Sequence, residues 1–282
     1  MSSIPNTGLR QVQRVQPLPQ DKALQSLWAW VKQPILIVAG LLVFLAFWEW
    51  QQTAVQRIPA LFIPPPSAIF VSLVENTLNG RIPSALAWSM RNLAIGFVLA
   101  ALLAIPTAFV MGSVPLVRRI LEPYMWLLYS TPRIAFLPII IVALGFGPES
   151  KVLVLFLSCL FPLLINTLAG VETVDAALIK AGRVFGATRL QLYTKIIFPF
   201  VLPFIMSGLR ISIARGLVVV YVSEIYGSIN GIGKLIIDAT ALYNTPLAFA
   251  CLMVLLIISL VLVFGLSALE RRVMPWMQEV KI

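Results

Sequence analysis

Ionisable side chains inside long apolar stretches carry the most informative chemistry of this 282-residue chain. A charge at the centre of a membrane helix costs about 2.5–3.5 kcal/mol unless it is paired or hydrated. Arg133, beside Pro132, is therefore predicted either to face a central anion path or to pair with Glu224 or a backbone carbonyl. Arg210 and Arg215 are predicted either to face such a path or to extend their side chains to the cytoplasmic interface. The candidate path residues are Thr131, Arg133, Asn166, Arg210 and Glu224, although the joining of helices is the slightly favoured role for Asn166.

The other reactive residue types give no catalytic pattern. The chain has no histidine, which removes imidazole metal ligands and the commonest general base. Cys159 and Cys251 lie in apolar stretches without the paired spacing of a metal site or a disulfide. Residues 227–234 resemble a phosphate-binding loop, but five residues separate Gly227 and Gly233 where four are required, and Leu235 replaces the magnesium-binding hydroxyl. We read this segment as a turn and expect no enzyme activity, no metal and no cofactor bound by this chain.

The composition is that of a membrane protein. Hydrophobic residues make up 60% of the chain and charged residues 11%, and the mean hydropathy is +0.95. The net charge of +10 comes from cations at the ends of apolar stretches, where they orient the chain and contact anionic lipids. We therefore expect this protein to lie in a lipid bilayer and to bind no nucleic acid.

Six apolar stretches are long enough to cross a bilayer. The third is interrupted by Pro132-Arg133 and Pro138. The sequence therefore predicts an all-α integral membrane protein with six transmembrane helices. The stretches cover roughly residues 33–50, 89–112, 120–146, 152–170, 201–223 and 246–269.

The cations lie mostly on one side of these predicted spans. They precede the first span, follow the last, and occupy the connections between spans two and three and between spans four and five. By the positive-inside rule this side is cytoplasmic, and so are both termini. The first span follows about thirty polar residues and lacks a small-x-small cleavage site, so we expect a retained helix and not a secretory signal.

The connection at residues 180–199 is basic, amphipathic and interrupted by glycine. Its apolar positions recur at helical spacing on both sides of Gly186-Ala187-Thr188. The pattern predicts a short helix, a turn with Gly186 at positive φ or at a close approach, and a second short helix ended by Pro199. A polar loop of this length in a membrane protein indicates a surface for a cytosolic partner.

This connection resembles the EAA motif of binding-protein-dependent ABC importer permeases. That motif reads Glu-Ala-Ala, three variable residues, Gly, about nine more residues and Ile-x-Leu-Pro. Lys180-Ala181-Gly182 stands at Glu-Ala-Ala, Gly186 at the glycine, and Ile197-Phe198-Pro199 near the end. Lys replaces Glu, Gly replaces the second Ala, and Phe replaces Leu, which weakens the expectation of a specific salt bridge to the ATPase.

The resemblance extends from about Phe62 to the C-terminus and points to the nitrate, sulfonate and taurine branch, which includes bicarbonate permeases. Its further landmarks are residues 63–67, 131–138, 145–147, 161–167 and 231–233.

The resemblance implies a type I ABC importer permease in the bacterial cytoplasmic (inner) membrane, with a cytoplasmic coupling helix. Two permease copies would form the pore, an extracytoplasmic binding protein would deliver a small anion such as nitrate, a sulfonate or bicarbonate, and cytosolic ATPase subunits would hold ATP and magnesium. The implied division is a cytoplasmic tail at 1–30, a first span and external connector at 31–87, the ABC transmembrane core at 88–270 and a cytoplasmic tail at 271–282. The ATPase-coupling residues are Lys180, Ala181, Gly182, Val184, Phe185, Gly186, Ala187, Thr188, Ile197 and Pro199.

Two other functions stay open at this point. An ion-coupled secondary transporter would need intramembrane carboxylates or inverted repeats, and the sequence shows few of the former and no evident repeat. A channel would not need the loop at 180–199. The identity of the solute, and whether the pore is a homodimer or a heterodimer, are also open, although one permease per system is usual in this branch.

Overall fold

A computed structural model describes residues 20–55, 59 and 61–277 of the chain, with side chains placed from residue 35 onward. The described secondary structure is helical throughout, as predicted. The structure divides into two units, of which the first ends at residue 57. Residues 1–19, which make up most of the predicted N-terminal tail, and residues 278–282 of the C-terminal tail lie outside the described part.

The described part of the first unit is one long helix. Helix α1 covers Gln20–Trp50 and continues into a single π-helical turn at Gln51–Val55. Residues Ile35–Val55 are long and apolar enough to cross a membrane. Its last turns carry the aromatic pairs Phe44–Trp48 and Phe47–Trp50, with ring centroids 6.1 Å apart in both. Aromatic side chains of this kind gather at the membrane interface.

The second unit holds the other helices. Before the connection that resembles the EAA motif lie α2 (Pro66–Leu78), α3 (Arg81–Ser113), α4 (Pro115–Ser130), a 3₁₀ turn (Arg133–Phe136), α5 (Leu137–Leu144) and α6 (Pro148–Glu172). The connection and the rest of the unit form α7 (Ala176–Val184), α8 (Arg189–Leu192), a π turn (Tyr193–Ile197), α9 (Phe198–Ile225), α10 (Ile232–Ala241), α11 (Thr245–Val273) and a 3₁₀ turn (Pro275–Met277).

The third predicted span is broken. Helices α4 and α5 are apolar enough to form one crossing together, but they are bent by 81° at the segment between Ser130 and Arg133. Pro132 lies at this break, where it cannot continue a helical hydrogen-bond ladder. With this pair counted as one span, the described residues contain the six predicted crossings.

One boundary prediction is wrong. Pro199 does not end a second short helix, because it lies in the first turn of α9, directly after the π turn that continues α8 into α9. α8, the π turn and α9 run on as one helical rod of 37 residues, Arg189–Ile225. The connection is therefore directly continuous with the fifth span.

Helix α6 lies at the centre of the packing, between α3 and α9. Small residues on both neighbours let the backbones come close, as in many membrane helix pairs. A Cβ added to Gly96 of α3 would lie 2.7 Å from the Leu155 Cβ and 3.1 Å from the Val152 carbonyl oxygen. A Cβ added to Gly208 of α9 would lie 3.2 Å from the Leu163 Cα. Both contacts involve backbone or Cβ atoms of α6, which cannot move aside.

The close approach at Gly96 predicts that Gly96→Val destabilises the helix bundle. Overpacking a helix contact lowers the free energy of unfolding by about 1–3 kcal/mol. Because the obstructing atoms belong to the backbone, we expect a loss near the upper end of this range. We expect the thermal unfolding midpoint of the detergent-solubilised protein to fall by several degrees. Gly265→Val in α11 is the matched control, because a Cβ there meets nothing within 4 Å. Equal losses in the two variants would contradict the packing described here.

Candidate coupling site and charges within the membrane

The connection between α6 and α9 folds into two short helices joined by a tight turn. We call residues 176–192 the elbow. Asp175 begins α7 by accepting a hydrogen bond from the Ala177 N–H at 2.7 Å. Thr188 begins α8 with a capping box: its hydroxyl accepts from the Gln191 N–H at 3.3 Å, and the Gln191 side chain accepts from the Thr188 N–H at 2.8 Å. The Thr-x-x-Gln pattern was readable in the sequence and fixes where the second helix starts.

Gly186 makes the turn of the elbow. Its φ is +77°, in the left-handed region that favours glycine, as predicted. The Ala187 N–H donates to the Gly182 carbonyl and the Gly186 N–H donates to the Arg183 carbonyl, both at 3.0 Å. This is the Schellman arrangement, which satisfies the last carbonyls of α7. The turn is therefore a defined connection that holds α7 and α8 at a set angle.

Gly182 stands where the EAA motif has its second Ala, and the packing gives the reason. A Cβ at this position would lie 2.7 Å from Leu192 Cδ2 and 2.8 Å from Ile196 Cδ1. Leu192 itself is buried. The missing methyl group of Gly182 thus lets these two larger side chains pack under α7.

The outer face of the elbow exposes large apolar side chains. Val184 is 85% exposed, Phe185 89% and Leu190 74%. The adjacent Lys180, Arg183 and Arg189 are exposed as well. Apolar side chains gathered in this way beside cations mark an interaction surface.

The predicted coupling residues divide into two groups. Lys180, Ala181, Val184, Phe185, Gly186 and Thr188 are exposed on the elbow, and Ala187 is half-buried there. Ile197 and Pro199 are not on this surface, since Ile197 is buried in the core with α3 and α6 and Pro199 is half-buried in the first turn of α9. A further anchor, which the sequence did not indicate, is the hydrogen bond from the Tyr193 hydroxyl to the Ser113 hydroxyl at 2.7 Å. It ties the π turn to the end of α3.

Arg133 lies at the break between α4 and α5. Its Nε–H donates to the Leu128 carbonyl at 3.2 Å, and its Nη2 donates to the Tyr129 carbonyl at 2.8 Å. The guanidinium also lies 5.6 Å from the centroid of the Tyr129 ring and 4.9 Å from that of Phe161. The bonds to backbone carbonyls match one of the two alternatives from the sequence, and Glu224 is not its partner.

Arg215 reaches the same tyrosine from α9. Its Nη2 donates to the Tyr129 hydroxyl at 3.0 Å, and its guanidinium carbon lies 5.1 Å from the ring centroid. Both guanidiniums therefore lie beside one aromatic ring, and like charges placed in this way repel each other. The structure therefore brings Arg215 to Arg133, a pairing that nothing local in the sequence indicates.

Glu224 is buried at the opposite end of the bundle from the elbow. One carboxylate oxygen accepts from the Ser89 hydroxyl at 2.8 Å and from the Gly233 N–H at 2.9 Å, and the Ser89 hydroxyl accepts from the Ile232 N–H at 2.9 Å. Glu224 and Ser89 thus cap the start of α10. The carboxylate also fills the space that a side chain at Gly231 would need. The glycine-rich segment that resembles a phosphate loop is a turn, as predicted. It packs around the Glu224 carboxylate.

The remaining path candidates have partners of their own. Arg210 forms an ion pair with Glu270 of α11. The Asn166 side chain donates to the Pro162 carbonyl, and the Thr131 hydroxyl donates to the Leu127 carbonyl, both at 2.7 Å. The predicted path residues therefore do not form one cluster. Among the described residues, no group of three His, Cys, Asp or Glu side chains is placed to hold a metal ion.

Known proteins match this chain over most of its length. The taurine transport system permease protein of Escherichia coli is 32% identical over 266 residues, which cover 93% of this chain and 96% of that protein. The bicarbonate transport system permease protein of Synechocystis is 31% identical over 229 residues, 77% of this chain and 80% of that protein. The riboflavin transport system permease protein of Chloroflexus aurantiacus is 30% identical over 264 residues, 92% of this chain and 95% of that protein.

The sequence profile of a protein family matches residues 96–275, which include the elbow and every described helix from most of α3 to α11. Members of this family are multi-pass inner-membrane proteins that work with a binding protein and with a separate ATPase, which hydrolyses the ATP. The chain itself is not catalytic and binds no cofactor. It belongs to the binding-protein-dependent transport system inner membrane components, the permease subunits of ABC importers.

Proposed function

We propose that this chain carries a small anion, such as nitrate, a sulfonate or bicarbonate, that an extracytoplasmic binding protein delivers, and that its elbow receives the force of the ATPase. The observation that carries the coupling role is the exposed apolar surface of Val184, Phe185 and Leu190 on a rigid turn. Relatives named for taurine, which carries a sulfonate group, and for bicarbonate support a solute with an oxyanion group, whereas the one named for riboflavin supports a neutral solute. The arginines inside the spans favour the anion.

The continuity of the fifth span supports the coupling role. Because α8, the π turn and α9 form one rod, a displacement of the elbow moves α9 without an intervening loop. Ile197 and the Tyr193–Ser113 hydrogen bond fasten the same rod to the core and to α3. Alternating access needs an element with two positions that nucleotide and solute both bias, and the rod is suited to this task.

The assembly and orientation follow from the same proposal. Two copies of the chain form the pore, and the elbow and both termini face the cytoplasm, as the distribution of cations indicates. The functional division keeps the predicted boundaries: tail 1–30, first span and external connector 31–87, transmembrane core 88–270 and tail 271–282. The elbow contributes Lys180, Ala181, Val184, Phe185, Gly186, Ala187 and Thr188 to the docking surface, with Gly182, Ile197 and Pro199 supporting it from behind.

Gly186→Asp tests the rigid turn. The variant places a side chain at positive φ, which costs about 1–2 kcal/mol locally, and adds a carboxylate to the docking surface. We expect ATP-driven uptake to be abolished and membrane insertion to be unchanged, measured with labelled taurine, nitrate and bicarbonate in cells that also express the ATPase and the binding protein.

Gly80→Asp is the matched control for this variant. Gly80 has a similar φ of +74° and equally open surroundings, but it lies in the turn between α2 and α3 at the end opposite the elbow. Its uptake should stay close to that of the wild type. Normal uptake by Gly186→Asp would refute the assignment of the elbow as the docking element.

Phe185→Ser and Leu190→Ser test the apolar surface. We expect each to reduce co-purification of the ATPase at least tenfold, because the exposed side chains would lose their contacts with the partner. Leu242→Ser is the control, since Leu242 is 75% exposed at the end of α10, away from the elbow. Unchanged ATPase recovery in both elbow variants would contradict the proposal. A wild-type chain that never recovers an ATPase would favour a secondary transporter or a channel.

A further inference from the structure

We infer that Arg133, Arg215 and Tyr129 form a binding site for a small oxyanion within the membrane-spanning region. The ligand class is an anion with two or three equivalent oxygens, such as nitrate, a sulfonate or bicarbonate. This inference rests on the proposed function, which it deepens by giving the solute a binding position in the permease.

The two guanidiniums are not neutralised within the described part of the chain. No carboxylate there lies within 4.0 Å of either group. Arg133 is half-buried, and Arg215 projects from the middle of α9. Two neighbouring cations at membrane depth are unfavourable unless a counter-ion or water accompanies them.

Three other cations of the chain have ion-pair or hydrogen-bond partners. Arg210 is paired with Glu270, and Arg118 at the start of α4 is paired with Glu122 at 3.0 Å and with Glu172 at 2.8 Å. Lys151, which is fully buried, donates to the carbonyls of Phe146 and Gly227 and to the Ser150 hydroxyl. Arg133 also donates to carbonyls, but it and Arg215 lie beside the same tyrosine ring without an ion pair among the described residues, an arrangement that a bound anion would stabilise.

The position of the cluster fits a site on a solute path. Arg133 lies at the 81° break between α4 and α5, and broken helices at membrane depth occur where backbone lines a cavity or is buried in protein. Its bonds to the Leu128 and Tyr129 carbonyls hold the guanidinium in place and leave its Nη1 without a described hydrogen-bond partner. Arg215 is exposed in the isolated chain, and a guanidinium does not face hydrocarbon, so this surface faces water or a solute.

Tyr129 sets the geometry of the two cations. Both guanidiniums lie within 6 Å of its ring, and its hydroxyl accepts from Arg215. Planar guanidinium groups bind oxyanions through two parallel N–H donors, which a lysine cannot reproduce. This chemistry selects nitrate, sulfonate or bicarbonate over a neutral solute of similar size.

A thermal unfolding measurement tests the site without knowledge of the natural solute. The probes are sodium nitrate and sodium methanesulfonate, compared with sodium chloride at the same ionic strength, on the protein purified with its accompanying subunits. We expect both probes to raise the unfolding midpoint of the wild type relative to chloride, and Arg215→Gln to lose this rise. Arg91→Gln should keep it, since Arg91 also stacks on an aromatic ring, 4.6 Å from that of Trp88, but lies outside the cluster. No rise in the wild type, or an equal rise in both variants, would overturn the inference.

Uptake in proteoliposomes provides the second measurement. We expect Arg215→Gln and Arg133→Gln to reduce uptake of the transported anion at least tenfold while ATPase association stays at the wild-type level, and Tyr129→Phe to cause a smaller loss. Arg215→Gln is the decisive variant, because Arg133 also holds the end of α4. Uptake of labelled riboflavin in place of taurine, nitrate and bicarbonate would refute the anion site and the proposed anionic solute, and leave the coupling role of the elbow intact. Loss of ATPase association in the wild type would instead refute the proposed function.

Discussion

The hydrocarbon of the bilayer cannot hydrogen-bond to peptide groups, so the backbone groups freed where a helix of the second unit breaks or ends need partners within the protein. Where α4 stops, Arg133 donates to the carbonyls that have lost their helical partners. Where α10 starts, Ser89 and Glu224 accept from the free N–H groups of Ile232 and Gly233. At the elbow, the turn at Gly186 satisfies the end of α7 through its own backbone. The polar side chains of greatest functional interest are therefore also those that allow the chain to stop being helical.

Close backbone packing sets how the helices can move. Gly96 and Gly208 bring α3 and α9 against α6, and a reciprocal pair of hydrogen bonds joins α6 to α9: the Ser212 hydroxyl donates to the Cys159 carbonyl at 2.8 Å and the Cys159 thiol donates to the Ser212 carbonyl at 3.4 Å. Such contacts resist separation of the helices more than they resist rotation about the contact. Both ends of the rod are also fastened to α3, through the Tyr193–Ser113 hydrogen bond beside the elbow and the Ser89–Glu224 hydrogen bond at the other end.

The spans could be predicted from sequence because hydropathy alone sets them, and the elbow because its glycine and its apolar spacing are local signals. Pro199 misled the prediction, since proline ends a helix in most positions, whereas here the π turn directly before it carries the chain onward without a break. Local sequence patterns could not indicate the partners of the charged residues within the spans. Glu270 is 60 residues from Arg210, Ser89 is 135 residues from Glu224, and Tyr129 is 86 residues from Arg215. Only the packing of whole helices decides these pairs.

The 37-residue rod is about 55 Å long at 1.5 Å per residue, well beyond the roughly 30 Å of hydrocarbon that it crosses. Its contacts with α6 at Gly208 and Ser212 lie part-way along this length. A rod that tilts about such contacts moves its two ends in opposite directions. A tilt that narrows the helix bundle at the elbow would therefore widen it at Glu224, and α3, which is hydrogen-bonded to both ends, would have to follow.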